Sequence, residues 1–80
     1  MTSKDTVDAH VRGTFYRRPD PSEPPFVEEG DSVTEEDVIG LIEVMKNFME
    51  IKSTKEGEIK QFLVDNEELV EEEQPLVEIE

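Results

Sequence analysis

The 80-residue sequence contains no cysteine, no tryptophan and a single histidine. Without cysteine, neither a disulfide framework nor a thiolate metal site can hold the fold, and His10 alone is too little for a metal centre. No apolar run approaches the ~20 residues of a membrane-spanning helix, and the first residues lack the hydrophobic stretch of a signal peptide. These absences predict a cytoplasmic protein with no metal site and no membrane contact.

Basic residues are also scarce. Only 8 lysines and arginines stand against 22 aspartates and glutamates, so the formal net charge is -14. Binding to a polyanion requires clustered lysine and arginine side chains that displace its counterions. We therefore expect no nucleic-acid partner. High charge can also indicate disorder, but the apolar residues form strand-length runs separated by turn signals, which predicts an ordered chain.

The sequence shows no sign of a catalytic centre. A chain of this length forms one small domain, which buries only roughly 60% of the surface of its unfolded state. Such a domain has little room for an active site of its own. Its many carboxylates lie on predicted turns, with no nucleophile or glycine-rich phosphate loop nearby. The glutamates at residues 71–73 lack the alternating ligand spacing of a calcium loop. We expect a protein that is not an enzyme.

The polar N-terminus is expected to precede a single folded domain. Residues 1–9 show no apolar period and predict a disordered leader, followed by a domain over residues 10–80. The first strand is predicted at residues 11–17 and ends at residues 18–25, which contain four prolines. Because proline lacks the amide donor that a sheet requires, this segment must protrude as a loop.

The middle of the chain predicts a hairpin. Residues 38–44 are apolar on both alternating faces, which is typical of a strand inside a sandwich or flattened barrel, and Gly40 is expected to permit close packing there. Residues 49–52 alternate between apolar and charged and predict the partner strand. The alternative is a helix over residues 35–52, because glutamate, methionine and lysine favour helices. The β-branched residues and flanking turn signals favour strands.

Two further strands complete the prediction. One covers residues 59–64, and the last covers residues 76–79. In the last strand, Val77 and Ile79 are expected on one face, whereas Glu78 and Glu80 are expected on the other.

An internal repeat relates the two halves of the chain. Residues 29–36 resemble residues 65–72 at a constant offset (66 − 30 = 36), and one inserted residue then brings residues 39–43 onto residues 76–80. Gly30 and the equivalent asparagine of the second half both tolerate positive φ and suit the same tight turn. We therefore predict a fold of two similar halves.

The first half carries an insertion. Gly13 and Gly57 begin matching strands, yet the distance to the repeated turn is 17 residues in the first half and 9 in the second, a difference of 8 (17 − 9 = 8). The extra residues are those of the proline-rich segment. The hairpin that joins the halves places Lys46 at an exposed tip.

In this order, the segments resemble a biotinyl domain, and in particular those of the biotin carboxyl carrier proteins of acetyl-CoA carboxylase. Residues 43–46, Glu-Val-Met-Lys, are similar to the Glu-Ala-Met-Lys motif whose lysine receives biotin. Residues 13–17 match the family's Gly-Thr-Phe-Tyr strand, residues 18–26 fit its thumb loop, and residues 74–80 resemble its closing strand. The sequence departs from the family at Val44, where alanine is usual, and at Asn47, where methionine or leucine is usual.

The resemblance implies a fold. It is an all-β flattened barrel, or sandwich, of two four-stranded antiparallel sheets. The two halves are related by a pseudo-twofold axis, and a thumb loop protrudes at residues 18–25.

The resemblance also implies a function. Biotin would be attached covalently to Lys46, with Met45 and Glu43 recognised by the biotin-protein ligase. Because the thumb of the family lies beside the biotin, Arg18 or Arg17 would donate a hydrogen bond to the ureido oxygen or to carboxybiotin; the alternative is that Arg18 is a solvated loop arginine. The other partners implied are a biotin carboxylase and a carboxyltransferase, between which carboxylate is carried for fatty acid synthesis with acetyl-CoA as acceptor. The isolated domain is expected to be monomeric.

Two other functions remain open from the sequence. Lipoyl domains share the two-half fold, but they usually carry Asp-Lys-Ala at the tip and lack the thumb, which favours biotin over lipoate. The departures at Val44 and Asn47 leave room for an unmodified acidic β-barrel that acts as a binding or assembly module.

Overall fold

The computed structural model describes residues 5–80 as two four-stranded antiparallel sheets. The strands are β1 (Asp5–Asp8), β2 (Gly13–Tyr16), β3 (Ser32–Val33), β4 (Val38–Val44), β5 (Asn47–Lys52), β6 (Gly57–Phe62), β7 (Glu68–Val70) and β8 (Pro75–Ile79). The hairpin sheet has the strand order β5-β4-β2-β7, and the terminal sheet has the order β1-β8-β6-β3. The predicted all-β fold is confirmed, and the helical alternative over residues 35–52 is wrong because β4 and β5 occupy that segment.

Among residues 5–80, no helix has the length and apolar character needed to cross a membrane.

The core lies between the two sheets and consists mainly of branched aliphatic side chains. Phe15 and Ile42 point inward from the hairpin sheet, and Ile59 and Val77 point inward from the terminal sheet, all of them fully buried or nearly so. The rings of Phe15 and Phe62 lie with centroids 6.5 Å apart and connect the sheets. Alternation along the strands assigns most side chains to either the core face or the outward face, and bulges in the pairs β1–β8, β4–β5 and β6–β8 interrupt it.

Gly40 allows β4 to pass close to the core phenylalanine. A Cβ atom at this position would lie 2.6 Å from Cε1 of Phe15 and 2.9 Å from the backbone oxygen of Tyr16. The predicted close packing at Gly40 is therefore confirmed.

The N-terminal segment differs from the sequence expectation. Residues 1–4 lie outside the described residues, but the predicted disordered leader is wrong for residues 5–9, because β1 pairs with β8 and places Val7 opposite Val77. Val7 and Ala9 are both only 2% exposed. β1 supplies hydrogen-bond partners for the main-chain groups along one side of β8. This pairing stabilises β1 even though the strand contains few apolar residues.

The substitution Val7→Ala is expected to lower the free energy of unfolding by roughly 2 kcal/mol, because it removes buried methyl groups and leaves a cavity. Urea denaturation measures this difference. The matched control is Thr6→Ala on the outward face of the same strand, which is expected to change stability by about 0.5 kcal/mol or less. Equal stability of the Val7 variant and the parent would show that β1 is dispensable.

Strand bounds and the exposure of one residue also differ from the prediction. β2 is shorter than residues 11–17, and β6 begins and ends two residues earlier than residues 59–64. Glu78 alternates with the inward residues as expected, yet it is only 4% exposed. The central position of β8 between β1 and β6 covers this side chain, and Nε2 of Gln61 donates a hydrogen bond to its Oε1 at 2.8 Å.

The two halves repeat in their turns as well as in their strands. The backbone N–H of Thr34 donates to the carboxylate of Asp37 at 2.8 Å, and the backbone N–H of Glu71 donates to the side-chain oxygen of Gln74 at 2.9 Å. Both donor and acceptor are displaced by the same number of residues (71 − 34 = 37). The turns that precede the last strand of each half are therefore equivalent.

The offset of 36 predicted for the first part of the repeat is wrong by one residue. Gly30 has φ of 96°, and the equivalent positive φ of 69° is at Glu67 rather than at Asn66 (67 − 30 = 37). The sequence comparison aligned glycine with asparagine because both tolerate this conformation, whereas the chain places a glutamate there. A single offset of 37 holds from the first repeated turn to the end of the chain.

The earlier part of each half follows a second offset. A Cβ on Gly13 would lie 2.5 Å from the backbone oxygen of Glu43, and a Cβ on Gly57 would lie 2.6 Å from that of Glu80. Gly57 is thus the equivalent of Gly13 at an offset of 44 (57 − 13 = 44), whereas the residues that the two glycines contact, Glu43 and Glu80, are related by the offset of 37. The first half therefore contains 7 extra residues (44 − 37 = 7) between β2 and β3, one fewer than predicted.

The inserted residues belong to the thumb loop (residues 18–25). Its base is closed by a hydrogen bond of 2.9 Å from the backbone N–H of Phe26 to the backbone oxygen of Arg17. Within the loop, the backbone N–H and the hydroxyl of Ser22 both donate to Oδ1 of Asp20, at 2.8 and 2.7 Å. These two hydrogen bonds hold the pKa of Asp20 below its ordinary value. The loop is thus folded by its own side chains as well as by its base.

Candidate functional site

The turn between β4 and β5 is the candidate site. Val44 and Asn47 form the last pair of the hairpin, so the turn itself consists of Met45 and Lys46 alone. Both have positive φ, 52° and 70°, as a type I′ turn requires. This turn matches the right-handed twist of the strands and projects its two side chains outward. Met45 is 89% exposed, and Lys46 is exposed beside it.

The hairpin below the turn is anchored in the core. Ile42 of β4 and Ile51 of β5 are buried, and Val44 packs against the core from a partly buried position. In the other half, the strand ends equivalent to this hairpin are Ile79 and Asp5, and no turn joins them within the described residues. Within the described residues, the pseudo-twofold fold therefore presents a lysine-bearing turn at one end only.

Glu43 is fixed by a tyrosine on the neighbouring strand. The hydroxyl of Tyr16 donates a hydrogen bond of 2.9 Å to Oε1 of Glu43. The Tyr16 ring also contacts the Phe48 ring, with centroids 5.9 Å apart and a tilt of 53°. Three side chains from three adjacent strands thus form one cluster on the outward face, directly below Met45 and Lys46.

This hydrogen bond predicts a measurable shift. The carboxylate of Glu43 accepts a hydrogen bond from the protonated phenol, and desolvation adds to this effect, so the pKa of Tyr16 is raised above its ordinary value. The stability that the hydrogen bond provides is fully present below the ordinary pKa and is lost as the pH rises through the raised pKa.

Tyr16 is the only tyrosine and there is no tryptophan, so ultraviolet absorbance reports its ionisation alone. We expect titration above pH ~10 in the parent and a return toward that value in Glu43→Gln. The control Glu50→Gln, on the neighbouring strand, should leave the pKa raised. Identical titration curves for the parent and Glu43→Gln would contradict the assigned hydrogen bond.

A groove of about 230 Å³ separates the thumb loop from the hairpin sheet. It is lined by Tyr16, Arg18, Asp20, Pro21, Phe48, Asn66 and Glu67. Nη1 of Arg18 donates to the backbone oxygen of Glu23 at 3.3 Å, which holds the guanidinium against the loop. The Oδ1 of Asn66 accepts a hydrogen bond of 2.8 Å from the backbone N–H of Arg17 and ties the loop base to the second half.

The structure brings the predicted site residues to one end of the domain. Lys46 and Met45 form the turn, Glu43 lies below them, and Arg18 lines the groove that Phe48 also lines. Sequence reasoning missed Tyr16 as the partner of Glu43. The register of β2 and β4 places Tyr16 opposite Leu41, diagonal to this carboxylate, and the sequence carries no signal for that register.

In the part of the chain that the structure describes, no three histidine or acidic side chains are grouped closely enough to hold a metal ion.

Comparison with known proteins matches residues 6–79 to the model of the biotin and lipoyl attachment family, described as "Biotin-requiring enzyme". The chain belongs to the biotin and lipoyl attachment family. Its β4–β5 turn, with Lys46 at the tip, lies near the middle of the matched region. The fold of two pseudo-equivalent halves is thus the fold of a biotin and lipoyl attachment domain.

Curated relatives of this biotin and lipoyl attachment domain share one name, biotin carboxyl carrier protein of acetyl-CoA carboxylase. The protein of Nostoc sp. is 44% identical over 73 residues, covering 91% of this chain and 40% of that protein. The protein of Haemophilus influenzae is 41% identical over 74 residues, covering 92% and 48%. The chloroplastic protein 2 of Arabidopsis thaliana is 42% identical over 66 residues, covering 82% and 26%. The chain therefore spans less than half the length of these relatives.

A solved structure shows the same fold. The crystal structure of the Kluyveromyces lactis urea carboxylase contains a region that superposes with a TM-score of 0.79 at 25% identity. The match covers 99% of this chain and 6% of that one. Biotin and lipoyl attachment domains of this shape thus occur within much larger proteins.

Proposed function

We propose that Lys46 is the attachment site of biotin and that the domain carries carboxylate from a biotin carboxylase to a carboxyltransferase of an acetyl-CoA carboxylase. One observation carries the proposal. A family member similar to biotin carboxyl carrier proteins presents Lys46 at the exposed tip of a two-residue turn on a buried hairpin base. The domain is a carrier, and the catalytic steps belong to its partners.

Attachment of biotin makes one chemical demand on the lysine. Its Nζ must attack an activated carboxyl group of biotin, so that an amide bond forms, the activating group leaves and a proton is released. Only a neutral amine has the free electron pair that this attack requires, so the proton of the ammonium form must first be removed. The ligase therefore removes the proton, and the carrier needs only to offer the side chain free of obstruction. The position of Lys46 at the turn meets this demand.

The ureido ring of biotin supplies the nitrogen that accepts and donates carboxylate when the cofactor is attached. The contribution of the protein is tethering. A group held on Lys46 visits two active sites at an effective concentration on the order of millimolar. The hairpin base, anchored by Ile42 and Ile51, keeps the end of the tether fixed relative to the domain. The domain thus supplies a rigid support for a mobile arm.

The neighbours of Lys46 have separate roles in this proposal. Met45 and Glu43 are recognised by the biotin-protein ligase, and Tyr16 holds the Glu43 carboxylate in one orientation through its hydrogen bond. Arg18 lines the groove that Phe48 also lines, and its guanidinium carries five N–H donors. We assign to it a hydrogen bond to the ureido oxygen of biotin.

The proposal is tested by carboxyl transfer in a reconstituted system. The biotinylated domain is incubated with biotin carboxylase, ATP and radiolabelled bicarbonate, and the label that stays with the protein is measured after rapid gel filtration in the cold. The biotinylated domain should become labelled and should lose the label when carboxyltransferase and acetyl-CoA are added. A biotinylated domain that never becomes labelled would contradict the carrier role.

A further inference from the structure

The outward face of the hairpin sheet is unusually apolar for such an acidic chain. Because Phe15, Ile42 and Val70 point into the core, their neighbours along the strands point to solvent. These neighbours include four large side chains, which we name the apolar face: Tyr16, Leu41, Phe48 and Leu69. Phe48 is 57% exposed and Leu69 is 55% exposed. Exposed aromatic and leucine side chains grouped on one face mark an interaction site.

The pseudo-twofold symmetry provides an internal reference. Leu41 corresponds to Glu78 and Leu69 to Ser32 by the offset of 37, and Tyr16, the partner of Leu41, corresponds to Gln61, the partner of Glu78, on the outward face of the terminal sheet. All three equivalents on the terminal sheet are polar. That face is also satisfied internally, since Lys60 forms an ion pair with Glu80 at 3.6 Å.

The same backbone therefore tolerates polar residues at these positions. Folding alone does not require apolar residues at these three positions of the apolar face.

We infer that the apolar face is the docking surface for the ligase that acylates Lys46, and that the ligase presents there an apolar patch flanked by lysine and arginine. The inference rests on the proposed function. An unmodified lysine side chain is short, so the ligase must approach the turn closely and cover the surface beside it. Phe48 begins the apolar face only two residues after Lys46. Later partners reach the cofactor at the end of a longer arm and need less contact with the domain.

The charges on and around this face indicate the basic partner. Glu43 and Glu50 point outward among the apolar side chains, and the whole chain carries a formal net charge of -14. An acidic docking surface on the ligase would be repelled, whereas a basic one would be attracted over a distance and oriented before contact. Docking should therefore weaken as the salt concentration rises.

Leu69 allows docking to be separated from the chemistry at the turn. β7 and β5 are the two edge strands of the hairpin sheet, so Leu69 and Phe48 are three strand spacings apart, roughly 14 Å. A change at Leu69 therefore leaves the turn and the Tyr16–Glu43 hydrogen bond untouched. The substitution Leu69→Ser installs the residue that the repeat already carries at Ser32, so the fold accommodates it.

The experiment measures steady-state biotinylation of the parent, Leu69→Ser and Leu63→Ser by a biotin-protein ligase. Leu63 is the matched control, since it is 43% exposed and its backbone N–H bonds to Leu76 of the terminal sheet. We expect Leu69→Ser to raise the KM for the domain about tenfold and to change kcat by no more than about twofold. The substitution removes contacts with the ligase that stabilise the bound domain and the transition state equally. Leu63→Ser should behave as the parent does.

The outcomes distinguish a failure of the proposed function from a failure of the proposed docking surface. If the parent itself is not biotinylated, the proposed function fails. If the parent is biotinylated and Leu69→Ser has an unchanged KM, or Leu63→Ser raises KM equally, the docking surface is wrong while the proposed function stands. A KM of the parent that does not rise with salt would overturn the basic character of the partner. Circular dichroism of each variant establishes that the compared proteins are folded.

Discussion

The substitution Lys46→Arg is expected to abolish biotin incorporation and carboxyl transfer while leaving the domain folded. The pKa of the arginine guanidinium lies far above that of a lysine amine, so the group stays protonated and offers no nucleophile to the activated carboxyl group. Because residue 46 is exposed at the tip of the turn, the free energy of unfolding should change by about 0.5 kcal/mol or less. Streptavidin binding after ligation measures incorporation, and far-ultraviolet circular dichroism measures folding.

A lysine on β5, the strand that follows the turn, provides the control. Lys52 is exposed at the far end of β5, and Lys52→Arg should incorporate biotin as fully as the parent. Residual incorporation in Lys46→Arg at the parental rate would place the attachment site on another lysine. Loss of incorporation in both variants would instead point to a general defect in the domain or the assay.

The substitution Phe15→Ala is expected to have the largest effect on stability. Phe15 is 0% exposed, contacts the Phe62 ring and lies against Gly40, so truncation opens a large cavity between the sheets. The expected loss is about 3–5 kcal/mol. A domain of this size has a total stability of roughly 4–12 kcal/mol, so a substantial part of the variant should be unfolded at moderate temperature. Urea denaturation followed by circular dichroism measures the difference.

Phe48→Ala is the matched control for this substitution. It removes the same side chain from the same sheet but from the outward face, where Phe48 is 57% exposed and contacts Tyr16. Its expected cost is roughly 1 kcal/mol. If the two variants lost equal stability, the assignment of inward and outward faces in the hairpin sheet would be wrong.

The hairpin and its lysine could be predicted from the sequence because their signals are local. Residues 38–44 are apolar on both faces, and residues 49–52 alternate, so the two strands and the turn between them follow from short-range patterns. The order of the resembling segments then pointed to the lysine of that turn. Positive φ at both Met45 and Lys46 has no such signal, since neither residue type favours it.

Features that depend on distant pairing could not be predicted. β1 contains one buried residue, Val7, and forms only because β8, at the other end of the chain, offers its main-chain groups. The repeat was recognised, but its offset was placed one residue short because residue similarity aligned Gly30 with Asn66, while the backbone places the positive φ at Glu67. Residue identity and backbone conformation thus disagree at that turn.

Side-chain contacts on the outward face of the hairpin sheet could not be predicted for the same reason. The pairing of Tyr16 with Glu43 requires the register between β2 and β4, and the contrast between Leu41 and Glu78 requires the corrected offset. Glu78 itself matched the predicted alternation, yet it is buried because β8 is a central strand. Alternation in a sequence predicts which way a side chain points, and the neighbouring strands decide whether it is covered.

The most direct test of the attachment site is the mass of the intact protein after incubation with a biotin-protein ligase, biotin and ATP, followed by sequencing of the modified peptide by tandem mass spectrometry. We predict a gain of one biotinyl group, located on Lys46. No gain with several ligases, from a domain shown to be folded, would contradict biotin attachment and favour lipoate or an unmodified binding module.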